Sequence, residues 1–137
     1  MAHEAISRQM FEKDVAVLTD KVAAGMDVLV NSRDFPVLDV TINHIVPLRL
    51  RFQCDNWNDS PPSIQLLNPD GTPFAGKMPG GIFHGGRFIC MRGAREYHTL
   101  GGHVNDRWEN YKNLEGMSIV GIFQQIKNAW RQARHDP

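Results

Sequence analysis

Apolar residues recur at three- and four-residue steps over the first part of the chain, at Ile6, Met10, Phe11, Val15, Leu18 and Val22, with Arg8, Glu12, Lys13 and Asp20 between them. A stripe of that period is the face a helix turns toward a core, so the pattern predicts one amphipathic helix from Ile6 to Val22, stopped near Gly25. The period then drops to two. Met26, Val28 and Val30 alternate through Asn31, and beyond Pro36 the segment Val37 to Ile45 sets Leu38, Val40 and Ile42 against Asp39, Thr41 and Asn43. From Leu48 to Cys54 the alternation is nearly perfect, with Leu48, Leu50, Phe52 and Cys54 on one face and Arg49, Arg51 and Gln53 on the other. These are strands with one wet face. A fourth short strand, Ser63 to Leu67, lies between the breaks Ser60-Pro61-Pro62 and Asn68-Pro69-Asp70-Gly71. The second break is a strong turn signal, because proline presets φ and glycine accepts positive φ.

Between Thr72 and Gly116 the periodicity dissolves into glycines, histidines, aromatics and charges, apart from a short apolar piece at Phe88 to Met91. Long irregular stretches in compact domains are often functional. Order returns at Ser118, a natural helix cap, after which Ile119, Val120, Ile122, Phe123, Ile126, Ala129 and Trp130 trace a helical stripe. The predicted class is α+β, with an N-terminal helix, a four-stranded antiparallel meander, an irregular segment and a C-terminal helix. At 137 residues one domain, 1–137, accounts for the whole chain.

Charge narrows the partners. Fifteen basic residues balance fifteen acidic ones, whereas general nucleic-acid and membrane-surface binders carry a basic excess, so neither partner is expected. No apolar run reaches the roughly 20 residues of a membrane helix, and Met1 to Glu12 lacks the layout of a signal peptide, so a cytoplasmic address is expected. The two cysteines, Cys54 and Cys90, have no CxxC spacing, which indicates neither a disulfide framework nor a zinc ribbon.

Each thiol is then read on its own surroundings. Cys54 is in register with Leu48, Leu50 and Phe52 and reads as a small buried hydrophobe. Cys90 ends the run Arg87-Phe88-Ile89-Cys90 and is followed by Arg92 and Arg95. Up to three guanidinium groups would then stand near its sulfur, and nearby cations favour the nucleophilic thiolate. Alternation also puts Cys90 on the face of Phe88, so burial is an equal reading and the residues alone leave both open. His84, His98 and His103 crowd the same region, with Asn105 and Asp106 close behind. One reading makes a histidine the base or orienting group for Cys90. Another makes His84, Cys90, His98 and His103 a zinc set, although their spacing matches no zinc signature. Gly80-Gly81 and Gly85-Gly86 form neither GxxxxGK[ST] nor GxGxxG, which argues against a nucleotide site. Trp108 and Tyr111 read as packing anchors.

Taken together, the element order resembles the ubiquitin-conjugating (UBC) fold, over about residues 5 to 133. The motifs that carry the likeness are Phe52-Gln53-Cys54-Asp55-Asn56-Trp57 leading to Pro61-Pro62-Ser63-Ile64, then Gly86-Arg87-Phe88-Ile89-Cys90-Met91, and Trp108 ahead of Ser118-Ile119-Val120. The likeness is greatest to divergent bacterial members. It implies that Cys90 accepts a ubiquitin-like protein as a thioester from an activating enzyme and passes it to an amine on a protein target, with no cofactor. The family's His-Pro-Asn element is missing, Met78-Pro79-Gly80 being the nearest match. A histidine after the cysteine, His98 or His103, would take over part of its role, and the N-terminal helix would help dock the activating enzyme through Arg8, Glu12 and Lys13. The alternative the missing element favours is a non-catalytic adaptor of the same fold that binds a ubiquitin-like protein.

Overall fold

The computed structural model describes residues 3–100 and 103–135. Its elements are α1 (Glu4–Val15), α2 (Asp20–Gly25), β1 (Val28–Ser32), β2 (Val37–Ile42), β3 (Leu48–Gln53), β4 (Ser63–Leu67), β5 (Phe83–His84), β6 (Phe88–Ile89), α3 (Arg95–Thr99), a single 3-10 turn (Trp108–Asn110) and α4 (Ile119–Gln132). β1 to β4 form an antiparallel meander in the order of the chain, so the architecture is α+β.

The predicted N-terminal helix is two helices. Thr19 adopts extended backbone and its hydroxyl accepts the Val22 N–H, which starts α2 anew. The break also changes which residues face inward. Phe11, Val15 and Leu18 are buried, but Ile6 and Val22, at the two ends of the expected stripe, are exposed. β1 begins at Val28 and β2 ends at Ile42, so both strands are shorter than the alternation suggests. Asp27, at φ 55°, turns the chain into β1. β4 has the bounds that its flanking prolines and turn residues predict.

Register explains the core. Leu38, Phe52 and Ile64 are successive cross-strand partners, as are Val40, Leu50 and Leu66, and Ile42 with Leu48. Because side chains alternate with a period of two, these rows build one continuous apolar face. α4 covers it with Ile119, Ile122, Phe123, Ile126 and Trp130, all fully buried, and Phe123 meets Phe52 edge-on at 6.2 Å. Trp130 packs against Phe74 and Phe83 while its indole N–H donates to the Val46 carbonyl at 2.8 Å, so the largest core side chain keeps its polar atom satisfied.

The segment that lacks periodicity is not structureless. Its first half folds back as the β5–β6 hairpin, and α3 packs beside β4. Glu96 of α3 accepts bonds from the Ser63 hydroxyl at 2.6 Å and the Ile64 N–H at 2.9 Å, which satisfies one backbone donor of β4.

Candidate functional site

The β5–β6 hairpin positions Cys90. Its turn is held by His84, whose Nδ1 accepts the Gly86 N–H at 2.8 Å and whose ring stacks on Phe88 at 4.4 Å. Arg87 sits at φ 68°, and its guanidinium reaches away to the carbonyls of Phe74 and Gly76 at 2.9 and 3.0 Å. Past the end of β6, the Cys90 N–H donates to the Ile82 carbonyl at 2.7 Å, extending the pairing by one residue. Ile89 points inward and is fully buried, while Phe88 and Cys90 flank it half-buried. Alternation is therefore obeyed at Ile89, while Cys90 is half-buried and packs against the edge of the core. Its thiol is free, on a residue that is neither sealed in nor fully exposed.

Cys54 is the opposite case. It is 1% exposed, and burial pushes its thiol far above the ordinary cysteine range, with only the Arg95 charge opposing. It behaves as the inert core thiol its register predicts.

The guanidinium groups expected around Cys90 are engaged elsewhere. Arg87 holds the 74–76 loop, as above. The Arg95 Nε donates to the Pro61 carbonyl at 3.1 Å and its other arm to Asp55 at 3.2 Å. Arg92 bonds Asp106 at 2.9 Å and lies over the Tyr111 ring at 4.8 Å. Sequence proximity alone suggested a cationic cradle; the backbone turn at Arg87 and a carboxylate partner for each of the other two direct these charges outward.

Asp106 is the centre of what forms instead. Its carboxylate accepts from Tyr111 on one oxygen and from Tyr97 and Arg92 on the other. The tyrosine hydroxyls, first Tyr111 and then Tyr97, together with Arg92, hold this carboxyl well below the usual range. The same bonds raise both phenols, because a hydroxyl that donates to a carboxylate resists losing its proton. Tyr111, expected as a packing anchor, thus also has a polar task, and Tyr97 was not anticipated at all. Trp108 is the anchor expected: it is buried 5.8 Å from Trp57, its N–H donating to the Asn58 carbonyl at 2.8 Å.

The two candidate histidines differ in kind. His98 lies with Nδ1 2.6 Å from the Asp106 carbonyl oxygen and Nε2 3.2 Å from the Gly93 backbone nitrogen. A carbonyl only accepts and an N–H only donates, so Nδ1 carries the proton, Nε2 is the acceptor and the ring is neutral. Through Gly93, His98 reaches the turn that directly follows Cys90. His103 is exposed and stacks on Tyr97 at 4.4 Å with rings nearly parallel. Among the described residues its ring nitrogens have no hydrogen-bond partner. The zinc reading finds no support here, since no three His, Cys, Asp or Glu among the described residues are grouped as ligands for a metal ion. His84, committed to Gly86 and Phe88, shows why: its lone pair is spent on the hairpin.

An open groove of about 810 Å³ that Cys90 does not line lies between the start of α1, the Phe35-Pro36 corner and the segment after β3. Glu4, Arg8, Asp55 and Arg95 line it, and Arg8 lies over the Phe35 ring at 4.9 Å. Arg8 also approaches Glu4 at 3.9 Å, while Glu12 and Lys13 are exposed. No described helix is long and apolar enough to cross a membrane. Comparison of the chain with protein-family models and with curated proteins finds no match.

Proposed function

We propose that the protein is a ubiquitin-conjugating-type transferase of the bacterial cytoplasm, with Cys90 as its thioester-forming residue. The observation that carries this reading is the contrast between the two thiols: Cys54 is sealed in the core, and Cys90 is partly open and fixed by its bond to Ile82 at the mouth of the histidine-bearing loop. In the first step the Cys90 thiolate attacks the carbonyl carbon of a ubiquitin-like protein's thioester. The new C–S bond forms as the old one breaks, and the activating enzyme's cysteine leaves as thiolate. In the second step a target amine attacks, a C–N bond forms, the amine proton passes to a base and Cys90 departs as thiolate. Exchange between thioesters is nearly balanced in energy, so the protein need supply only thiolate, proximity and oxyanion support, with no cofactor.

His103 is the better placed of the two histidines to take the amine proton, because its ring nitrogens are not engaged within the described chain, whereas both nitrogens of His98 hold backbone. α1, with Arg8, Glu12 and Lys13, would contribute to docking the activating enzyme. The second reading, an adaptor that binds a ubiquitin-like protein without transferring it, is favoured by the outward pairing of Arg92 and Arg95 and by the missing His-Pro-Asn element. Incubation with an activating enzyme, ATP and a ubiquitin-like protein from the same genome separates the two. A thiol-sensitive adduct in wild type and Cys54→Ala but not in Cys90→Ala supports transfer; binding without any adduct supports the adaptor.

A further inference from the structure

Asp106 gathers bonds that no single structural task requires. Its two carboxylate oxygens take Tyr111, Tyr97 and Arg92, its N–H donates to the His103 carbonyl at 2.9 Å, and its own carbonyl accepts from His98. The side chain is 23% exposed, so water could satisfy it; the protein supplies three donors instead. Those donors come from the turn after Cys90, from α3 and from beyond the 3-10 turn, so one residue gathers three segments near the proposed nucleophile. The two groups belong to one residue: loosening the carboxylate would also loosen the carbonyl that meets Nδ1 of His98 at 2.6 Å.

We infer that Asp106 is the positioning residue of this site, its carboxylate joining Arg92, Tyr97 and Tyr111 and its carbonyl fixing His98 as the Nδ1–H tautomer, so that Nε2 holds the Gly93 N–H and sets the turn beside Cys90. This rests on the transferase reading for its consequence, but not for its geometry. Asp106→Asn keeps the shape and the main-chain carbonyl and removes the charge that draws Arg92 and both tyrosines together.

The experiment reads two quantities on the full chain. Long-range nitrogen–proton NMR of the ring reports the tautomer of His98, and exchange of Cys90 with a small N-acetylglycyl thioester reports its chemistry. Wild type should show the Nδ1–H form; Asp106→Asn should mix the tautomers and slow exchange about tenfold through misplacement alone. A wild-type Nε2–H tautomer, or Asp106→Asn with both tautomer and rate unchanged, overturns the inference. Should Asp106→Asn not fold, Tyr111→Phe serves in the same assays, with a loss of about threefold expected for one charge-assisted bond and no change overturning the inference. If Cys90 of the wild type exchanges with no thioester, the transferase reading fails, while the tautomer result still decides for or against Asp106 as the positioning residue.

Discussion

Arg49 meets Asp39 as a two-point fork, Nε to one carboxylate oxygen at 2.8 Å and a terminal nitrogen to the other at 2.9 Å, on the polar face of the sheet. The pair are neighbours across β2 and β3, displaced by two positions, and Arg51 directly opposite Asp39 adds a third bond at 3.2 Å. With Asn31 contributing from β1 at 3.1 Å, three strands are tied by one carboxylate that is 4% exposed. Burial alone would raise this carboxyl, but the bonds from Arg49, Asn31 and Arg51 outweigh it and leave it below the usual value. Asp39→Ala should cost about 2 kcal/mol in urea unfolding at neutral pH, less than a wholly buried pair because both arginines reach water.

The same carboxylate, with Asp106, sets an acid limit. Both are depressed in the folded state, so each contributes stability that is fully present above the ordinary carboxyl value of 3.8 and is lost as pH falls below it through the folded range. Unfolding midpoints measured from pH 7 down to pH 2.5 should drop steeply at the acid end. Asp39→Asn should flatten that drop while lowering the plateau at pH 7.

Native alkylation should distinguish the thiols. Iodoacetamide at pH 8 should label Cys90 and leave Cys54 unmodified, with both labelled in denaturant, as read by peptide mass spectrometry. Labelling of Cys54 in the folded protein would contradict its burial and the upward displacement of its thiol.

Gly93 has φ 101°, and a Cβ there would approach Ile122 at 3.0 Å. Gly93→Ala therefore combines left-handed backbone strain with crowding of a buried α4 side chain, and should destabilise by about 2 kcal/mol. Thermal unfolding checks this, and Ile122→Val should relieve part of the loss if the contact is correctly identified.

Trp130→Ala should be the most damaging single change in α4, about 4 kcal/mol, since it empties the space between Phe74 and Phe83 and strands the Val46 carbonyl. Urea titration measures it, with Gln124→Ala on the exposed side of the same helix as the near-neutral control.

Local chemistry made much of this protein legible in its sequence. The alternation of Leu48 to Cys54, the proline and turn residues around Ser63 to Leu67, and the Ser118 cap with its apolar stripe each specify an element through short-range steric and hydrogen-bonding preferences, and the structure has all three, the first ending one residue earlier at Gln53. Cys54 likewise declared its burial by register. Tertiary structure decided what those preferences do not reach. Against a continuous apolar stripe, the first helix ends at Val15 and a threonine cap starts a second after Thr19. Whether Cys90 was sealed or only half-buried depended on which residue of the small hairpin entered the core, and Ile89 did. Arg92, Tyr97 and Tyr111 found Asp106 across gaps of 14, 9 and 5 residues. No periodic pattern records such pairings, because hydrogen bonds between side chains on separate turns depend on how the loop closes, and loop closure is set by the packed body on which it rests.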